Sequence, residues 1–251
     1  MRILVTNDDG IHAPGLKVME AIARKLSSDV WVVAPETEQS GASHSLTLTL
    51  PLRIRKLKPR KFAVQGTPTD CVMVAITQIV TGQRPDLVLS GVNRGGNLGE
   101  DVTYSGTIAA AMEGTLLKVP SIAMSQCMRH GHPVKWATAE HHAPGLVKRL
   151  LKAGWPKNIL VNVNFPDAIH DAVQGVKVTA QGQRDQSDVV LDARVDARGV
   201  PYYWIGFRRQ HGNPEPETDL ATVAGGWIAV TPLQLDLTHK HTMDHLRKAL
   251  K

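Results

Sequence analysis

The chain has 251 residues, a length that suits one large α/β domain or a core with an elaboration. Hydrophobic residues make up 42% of it and charged residues 21%, as is ordinary for a soluble globular protein. No apolar run reaches the roughly 18 residues that a membrane span needs. The apolar segment before Asn7 is too short for a signal peptide. We therefore expect a cytoplasmic protein with no membrane contact.

The net charge of +6 and the pI near 9.4 favour anionic partners. The basic residues are scattered, and their densest cluster, residues 53–61, alternates with apolar residues as the wet face of a strand would. No helix-turn-helix, zinc-finger or RNP pattern is present, so we expect phosphorylated small molecules rather than a specific nucleic acid. Cys71 and Cys127 form no metal-binding pattern and are expected to be free, buried thiols.

Apolar strand-like runs alternate with helix-like stretches along the first two thirds of the chain. Strands are expected at residues 2–6, 30–34, 87–90, 121–125 and 159–164. Helices are expected at residues 14–26, 68–80, 105–118 and 134–153. Near-continuous Val, Ile and Leu strands separated by helices are typical of a parallel sheet covered on both faces. The predicted fold class is therefore α/β, with a Rossmann-like, doubly wound, mostly parallel sheet.

Two regions depart from this alternation. Residues 45–55 alternate between apolar and polar and indicate an antiparallel arm. After Pro166, strand-like runs at 173–179, 188–191, 202–209 and 227–231 are joined by turns such as 196–199 and a Pro- and Gly-rich loop at 211–217, before a terminal helix from about Thr242. We expect a Rossmann-like catalytic core over residues 1–165, and a β-hairpin elaboration with a C-terminal tail over residues 166–251.

The first strand ends on two adjacent carboxylates, Asp8 and Asp9, followed by Gly10. Adjacent carboxylates repel each other unless a cation or a shared proton relieves the repulsion, and hard cations such as Mg²⁺ take oxygen ligands of this kind. An Asx turn uses the same residue types, so the segment alone fits either a turn or a cation site. Ser40 and Asn93 follow later strands and could add neutral oxygens, because the carboxyl ends of parallel strands meet at one edge of the sheet.

Two further segments fall at the same edge and suit a phosphate. The glycine-rich stretch 91–99 can bring backbone N–H groups close to an anion. Ser105, Gly106 and Thr107 open a helix and would present unpaired N–H groups and the positive helix end. Singly, these features are ordinary loops and a helix cap, and His12 and His44 are isolated histidines. Jointly, an anion cradle beside a carboxylate-bound metal indicates metal-assisted phosphate hydrolysis.

These motifs together closely resemble the SurE family of stationary-phase survival proteins, which are metal-dependent nucleotide phosphatases. The matching segments are MRILVTNDDGIHAPGL at 1–16, VVAPETEQSGASHSLTL at 32–48, GTPTDCV at 66–72, PDLVLSGVNRGGNLGEDVTYSGTIAAAMEG at 85–114, YYWIG at 202–206 and TDLATVAGGWIAVTPLQLDLT at 218–238. The order NDDG, SGVN, YSGT is more specific than any single motif. One departure is Glu215-Pro216-Glu217, where members often carry Gly-Pro-Gly or similar.

The resemblance implies a 5′/3′-nucleotidase that acts on nucleoside monophosphates, with one divalent metal ion, Mg²⁺ or Mn²⁺, per subunit. We expect it to hydrolyse them by direct attack of water, with no phosphoenzyme. The metal ligands would be Asp8, Asp9, Ser40 and Asn93. The substrate contacts would be Gly41, Ser43, Asn97, Ser105, Gly106 and Thr107, and the catalytic residues would be Asp8, Asp9 and Asn97. It also implies a homodimer or homotetramer that exchanges the C-terminal tail and a β-hairpin, and it admits polyphosphate as a further substrate.

Two other functions stay open on the sequence. An aspartyl-phosphate phosphatase uses an Asp after the first strand as nucleophile, but it normally needs a second acid two residues on, where this chain has Gly10. A non-enzymatic nucleotide- or RNA-binding regulator would suit the basic pI. Phosphate release from a nucleotide panel, with and without EDTA, separates the three.

Overall fold

A nine-stranded, mostly parallel sheet forms the centre of the molecule, in a computed structural model that describes residues 1–184, 187–209 and 214–250. The strands are β1 (Arg2–Thr6), β2 (Asp29–Pro35), β3 (Arg53–Lys58), β4 (Lys61–Gln65), β5 (Leu87–Arg94), β6 (Ser121–Gln126), β7 (Ile159–Phe165), β8 (Val176–Val178), β9 (Ser187–Val195), β10 (Pro201–Arg209) and β11 (Ile228–Gln234). The central order is β3-β4-β2-β1-β5-β6-β7-β11-β8. Strand β3 is antiparallel to β4, and β11 is antiparallel to β7.

Helices cover both faces of this sheet. They are α1 (Pro14–Leu26), α2 (Pro68–Val74), α3 (Asp101–Tyr104), α4 (Gly106–Leu116), α5 (Trp136–Ala153), α6 (Asp219–Ala224) and α7 (Lys240–Ala249). The middle of strand β1 is apolar on both faces, because Ile3 and Val5 pack with residues of α1 and α5, whereas Leu4 packs with residues of α2 and α4 on the other face. The predicted mostly parallel sheet with helices on both sides is confirmed.

The predicted arm over residues 45–55 is wrong in its first half. Residues 46–52 are not in a strand, and Leu48 and Leu50 are largely exposed. Strand β3 begins only at Arg53, because Arg53 pairs with Gln65, and Gln65 is the last residue of its partner strand β4. The predicted helix 68–80 is helical, but it changes from α to π geometry over Ala75–Ile79.

The region after Phe165 contributes more to the sheet than the sequence indicated. Strands β9 and β10 form the predicted hairpin as a separate two-stranded sheet. Strands β8 and β11, however, extend the central sheet beyond β7, and the short helix α6 was not predicted. The division at residue 165 stays a prediction, and the sheet continues across it. Residues 211–213 of the predicted loop 211–217 lie outside the described residues.

No helix in the part of the chain that the structure describes is long and apolar enough to cross a membrane. Cys71 and Cys127 are buried and free, as expected.

Gly15 allows α1 to lie directly on the end of β5. A Cβ at this position would stand 1.9 Å from the carbonyl oxygen of Val92 and 3.0 Å from the Trp136 ring. We expect Gly15→Ala to lower the free energy of unfolding by about 3 kcal/mol, because backbone has to move to admit the methyl group. Urea denaturation measures this change.

Gly145→Ala in α5 is the matched control, because a Cβ there meets no atom within 4 Å. It should stabilise the helix by about 0.5–1 kcal/mol. Equal effects of the two substitutions would contradict the packing of α1 on β5.

Candidate active site

The chain turns sharply after β1, and this turn carries the two carboxylates. Asn7 Nδ2 donates to the carbonyl oxygen of Gly10 at 3.0 Å, and Gly10 has a φ of 97°, in the left-handed region that favours glycine. The N–H of Gln39 donates to the carbonyl oxygen of Asp8 at 2.8 Å. The loop after β2 is therefore joined to the loop after β1, as expected for neighbouring parallel strands.

Asp8 is buried against the first turn of α4. The Thr107 hydroxyl donates to Asp8 Oδ1 at 2.5 Å. A Cβ on Gly106 would lie 2.8 Å from the Asp8 Cβ, so only glycine lets the helix approach this closely. Burial raises the pKa of Asp8 from its ordinary 3.8 to about 6, and the Asp9 charge adds to the rise, whereas the Thr107 hydrogen bond opposes it.

The other predicted metal ligands each have one polar group held by the protein. The N–H of Arg94 donates to Asp9 Oδ2 at 3.3 Å. Asn93 Nδ2 donates to the carbonyl oxygen of Gly95 at 2.9 Å, which orients its amide. The Ser40 hydroxyl donates to Glu38 Oε1 at 2.8 Å, which leaves the lone pairs of the Ser40 oxygen available to coordinate a cation.

The oxygen atoms of these four side chains are suitable ligands for a hard divalent cation. Two carboxylates with neutral hydroxyl and amide oxygens are the kind of set that Mg²⁺ takes together with water. Within the described ranges, no group of three or more His, Cys, Asp or Glu side chains is placed to hold a metal, so neutral oxygens such as those of Ser40 and Asn93 would have to complete the ligand set. Burial also raises the pKa of Asp9. A nearby positive charge would therefore lower the free-energy cost of keeping both carboxylates ionised.

A cavity of about 910 Å³ opens at this edge of the sheet. All four predicted metal ligands line it, with three of the predicted substrate residues, Gly41, Asn97 and Ser105. Its charged lining is mainly acidic: Asp8, Asp9, Glu38, Glu100 and Asp101 outnumber the basic residues Arg94, Arg184 and His132. Arg184 is already paired with Asp101 at 2.6 Å. The cavity therefore carries an excess of negative charge before any cation binds.

Three predicted substrate residues do not line the cavity. Gly106 and Thr107 lie behind Asp8, in the contacts given above. The Ser43 hydroxyl donates to the carbonyl oxygen of Thr103 at 2.8 Å, and the Ser43 N–H donates to that of Tyr104 at 3.3 Å. Ser43 therefore holds its loop on α3 in this structure, and its contact with substrate stays a prediction.

Asn97 is fixed by a polar network that the sequence reasoning missed. Its side chain donates to Ser125 Oγ at 2.8 Å, and its N–H donates to Asn164 Oδ1 at 2.8 Å. Its carbonyl oxygen accepts from Asn162 at 2.9 Å and from Asn164 at 3.1 Å. Two asparagines at alternate positions of the apolar strand β7 point to one face, and this spacing was the available signal.

Arg184, Glu100 and Trp136 are further cavity residues that the sequence reasoning did not select. The N–H of Arg184 donates to Glu100 Oε1 at 3.0 Å, which fastens the segment after β8 to the loop before α3. Residues 84 positions apart give no local signal of such a pairing.

Comparison with known proteins agrees with this architecture. Residues 3–188 match the family described as Survival protein SurE. The chain belongs to the SurE family. A protein named 5′-nucleotidase SurE from Parvibaculum lavamentivorans is 59% identical over 252 residues, covering 100% of this chain and 91% of the relative. Another of that name, from Paramagnetospirillum magneticum, is 57% identical and covers 99% and 95%.

A solved structure supports the fold as well as the family. The crystal structure of the SurE protein from Aquifex aeolicus matches with a TM-score of 0.85 and 39% sequence identity, over 100% of both chains. The resemblance inferred from NDDG, SGVN and YSGT is confirmed at the level of the family.

The buried charge of Asp8 predicts a pH-dependent stability in the metal-free protein. Because its pKa in the fold is about 6 rather than 3.8, the charged form is disfavoured, and this cost is absent below pH 4 and complete above pH 6. At neutral pH the cost amounts to ~3 kcal/mol. Asp8→Asn should therefore stabilise the metal-free protein at pH 7.5 by about 1–3 kcal/mol, measured by urea unfolding.

The same pair of proteins tests cation binding without catalysis. Mn²⁺ should raise the Tm of the wild-type protein and leave that of Asp8→Asn unchanged. Asp244→Asn on the exposed face of α7 is the control and should behave as wild type. A Mn²⁺ shift of equal size in Asp8→Asn would remove Asp8 from the ligand set.

Proposed function

We propose that the chain is a metal-dependent 5′-nucleotidase that hydrolyses nucleoside 5′-monophosphates, and 3′-monophosphates as well, by direct attack of water. The observation that carries this proposal is the acidic cavity at the end of β1, where a phosphate can approach Asp8 and Asp9 only if a cation is present. The names of the two relatives, each 5′-nucleotidase SurE, supply the substrate class.

Asp8, Asp9, Ser40 and Asn93 would hold one Mg²⁺ or Mn²⁺. A cation bound there supplies positive charge to the phosphoryl oxygens and lowers the pKa of the attacking water. Each of these side chains is oriented by one hydrogen bond described above, to Thr107, Arg94, Glu38 or Gly95 respectively. Hydrogen bonds of this kind keep metal ligands in position.

The rest of the cavity lining binds and stabilises the phosphate. Ser105 accepts from the N–H of Ile108 and can still donate its hydroxyl proton to a phosphate oxygen. Asn97 keeps one side-chain N–H beyond the one given to Ser125, and its fixed backbone leaves little to reorganise when charge develops. The start of α4 adds the positive end of a helix dipole.

The geometry of Asp8 favours direct attack by water over a mechanism with a phosphoenzyme intermediate. Only 5% of Asp8 is exposed, and one of its oxygens is committed to Thr107. A nucleophile needs an unobstructed line to phosphorus, and the second acid of an aspartyl-phosphate site is replaced by Gly10. The acidic lining equally disfavours a polyanion-binding regulator.

Asp8→Asn and Asp9→Asn should each abolish phosphate release from nucleoside monophosphates, by a factor of about 10³ or more, because each removes a charged oxygen from the cation. A colorimetric phosphate assay on 5′- and 3′-nucleotides and polyphosphate, with Mg²⁺, Mn²⁺ or EDTA, measures this. Asp244→Asn should retain full activity.

This assay, together with a phosphate-trapping and a ligand-binding experiment, decides between the three functions. Near-normal activity of both variants with added Mn²⁺ would overturn the metal assignment. Covalent trapping of phosphate on Asp8 or Asp9 would establish the phosphoenzyme instead. Nucleotide or RNA binding that survives EDTA, with no phosphate release from wild type, would establish the regulator.

We also propose that the chain forms a homodimer or homotetramer in which the β9–β10 hairpin and the C-terminal tail are exchanged. Large apolar side chains of the hairpin lie in solvent in the single chain: Leu191, Val195, Tyr203, Trp204 and Ile205. Leu237 and Leu250 of the tail are more than four-fifths exposed. Apolar surface of this kind is typical of an interface.

Trp204→Asp should dissociate the oligomer, because a charge would be buried in the interface without a partner. Light scattering coupled to size exclusion measures the mass. Ile169→Asp is the matched control, since Ile169 is equally exposed at 61% but lies outside both the hairpin and the tail. A monomeric wild-type protein, or an unchanged mass in Trp204→Asp, would contradict the proposal.

A further inference from the structure

Glu113 is a buried carboxylate that the hydrolysis described above does not use. It lies in the middle of α4 beside the small, apolar residues 109–111, and its side chain is only 8% exposed. A buried carboxylate is costly unless it is paired. Its partner is His44, whose Nε2 lies 3.1 Å from Glu113 Oε2. A helix position facing the core could hold Leu or Met at no such cost, so the pair needs an explanation other than stability.

His44 is the last residue of the loop that brings Ser40 and Gly41 to the cavity. This loop, residues 40–44, buries no large apolar side chain, so polar contacts must determine its position. Gly41 and Ser43 both have positive φ, at 78° and 53°, and Ser43 is a residue type for which this conformation is uncommon. Such backbone persists only where surrounding contacts hold it.

Three polar anchors hold the segment that starts with this loop. Ser43 bonds to the carbonyl oxygens of α3, as described above. Thr47 donates its N–H and its hydroxyl to Asp70 at 3.1 and 2.6 Å. The His44–Glu113 contact lies between these two in sequence and reaches α4, the helix whose first turn contacts Asp8. It therefore joins the two walls of the predicted phosphate site.

We propose that the His44–Glu113 pair is a positioning device for the phosphate site, which fixes loop 40–44 at a set distance from the start of α4. This inference rests on the proposed nucleotidase function. His44 does not line the cavity, and its Nε2 contacts Glu113, which does not line it either, so His44 acts through the loop and not on the substrate. Loosening the loop weakens phosphate binding by Gly41 and Ser105 together, because their spacing is no longer held.

Steady-state kinetics on adenosine 5′-monophosphate test the pair. His44→Ala should raise KM, and the inhibition constant of inorganic phosphate, by about tenfold, with a smaller change in kcat. His44→Gln keeps an N–H donor towards Glu113, so its KM should lie close to that of the wild-type protein. In a double-mutant cycle, the variant with both His44→Ala and Glu113→Gln should have a KM little higher than that of either single variant.

His170→Ala is the matched control, since His170 also lies beside a carboxylate, with its Nδ1 at 2.8 Å from Asp171 Oδ1, but outside the cavity. It should leave KM unchanged. A KM within twofold of wild type in His44→Ala, or additive effects in the cycle, would overturn the positioning role.

Hydrogen–deuterium exchange of the metal-free protein gives a readout that is independent of activity. In His44→Ala, the amides of residues 40–47 should exchange faster, whereas those of α1 should not change. Unchanged exchange in residues 40–47 would also overturn the proposal. If the wild-type protein released no phosphate from any nucleotide, the proposed function would fail, and the exchange experiment would still decide whether the pair holds the loop.

Discussion

The contact between the Asp8 carboxylate and the first turn of α4 is the interaction on which the rest of this site depends. Thr107 reaches back across 99 residues of sequence to bind one oxygen of Asp8, and Gly106 is small enough to let the helix lie against it. This contact sets α4 relative to β1 and brings Ser105 to the cavity. It also buries a charge that the protein itself does not neutralise, since burial outweighs the hydrogen bond in raising the pKa of Asp8.

Two kinds of contact, apolar packing and polar hydrogen bonds, position the other residues of the site. The strand ends of a sheet covered on both faces position Asp8, Asp9 and Asn93, and the buried asparagines of β7 position Asn97. The loop after β2 has no comparable packing, although it carries Ser40 and Gly41. Polar anchors on α2, α3 and α4 replace apolar burial there, which is why a buried Glu113 is tolerated.

The last third of the chain serves both the sheet and the surface. Strands β8 and β11 complete the central sheet, and Asp219 at the start of α6 accepts from the N–H groups of Gly99 and Gly182, each under 3 Å away. Arg184 extends from the same region to the cavity. The hairpin and α7, in contrast, leave apolar side chains in solvent, and none of their side chains whose burial the structure describes is buried. This exposed apolar surface is the observation behind the proposal that the hairpin and the tail are exchanged between copies.

The sequence by itself determined the α/β class, the strand ends at which polar residues gather, and the family, because apolar runs and strand-end motifs are local patterns. Asp8, Asp9, Ser40 and Asn93 could be selected as one group since parallel strands end at one edge. Only the tertiary structure decided that Ser43 faces α3, that Thr107 lies behind Asp8, and that β11 returns antiparallel to β7. These outcomes depend on packing between segments distant in sequence, where a side chain has several possible partners and the fold selects one.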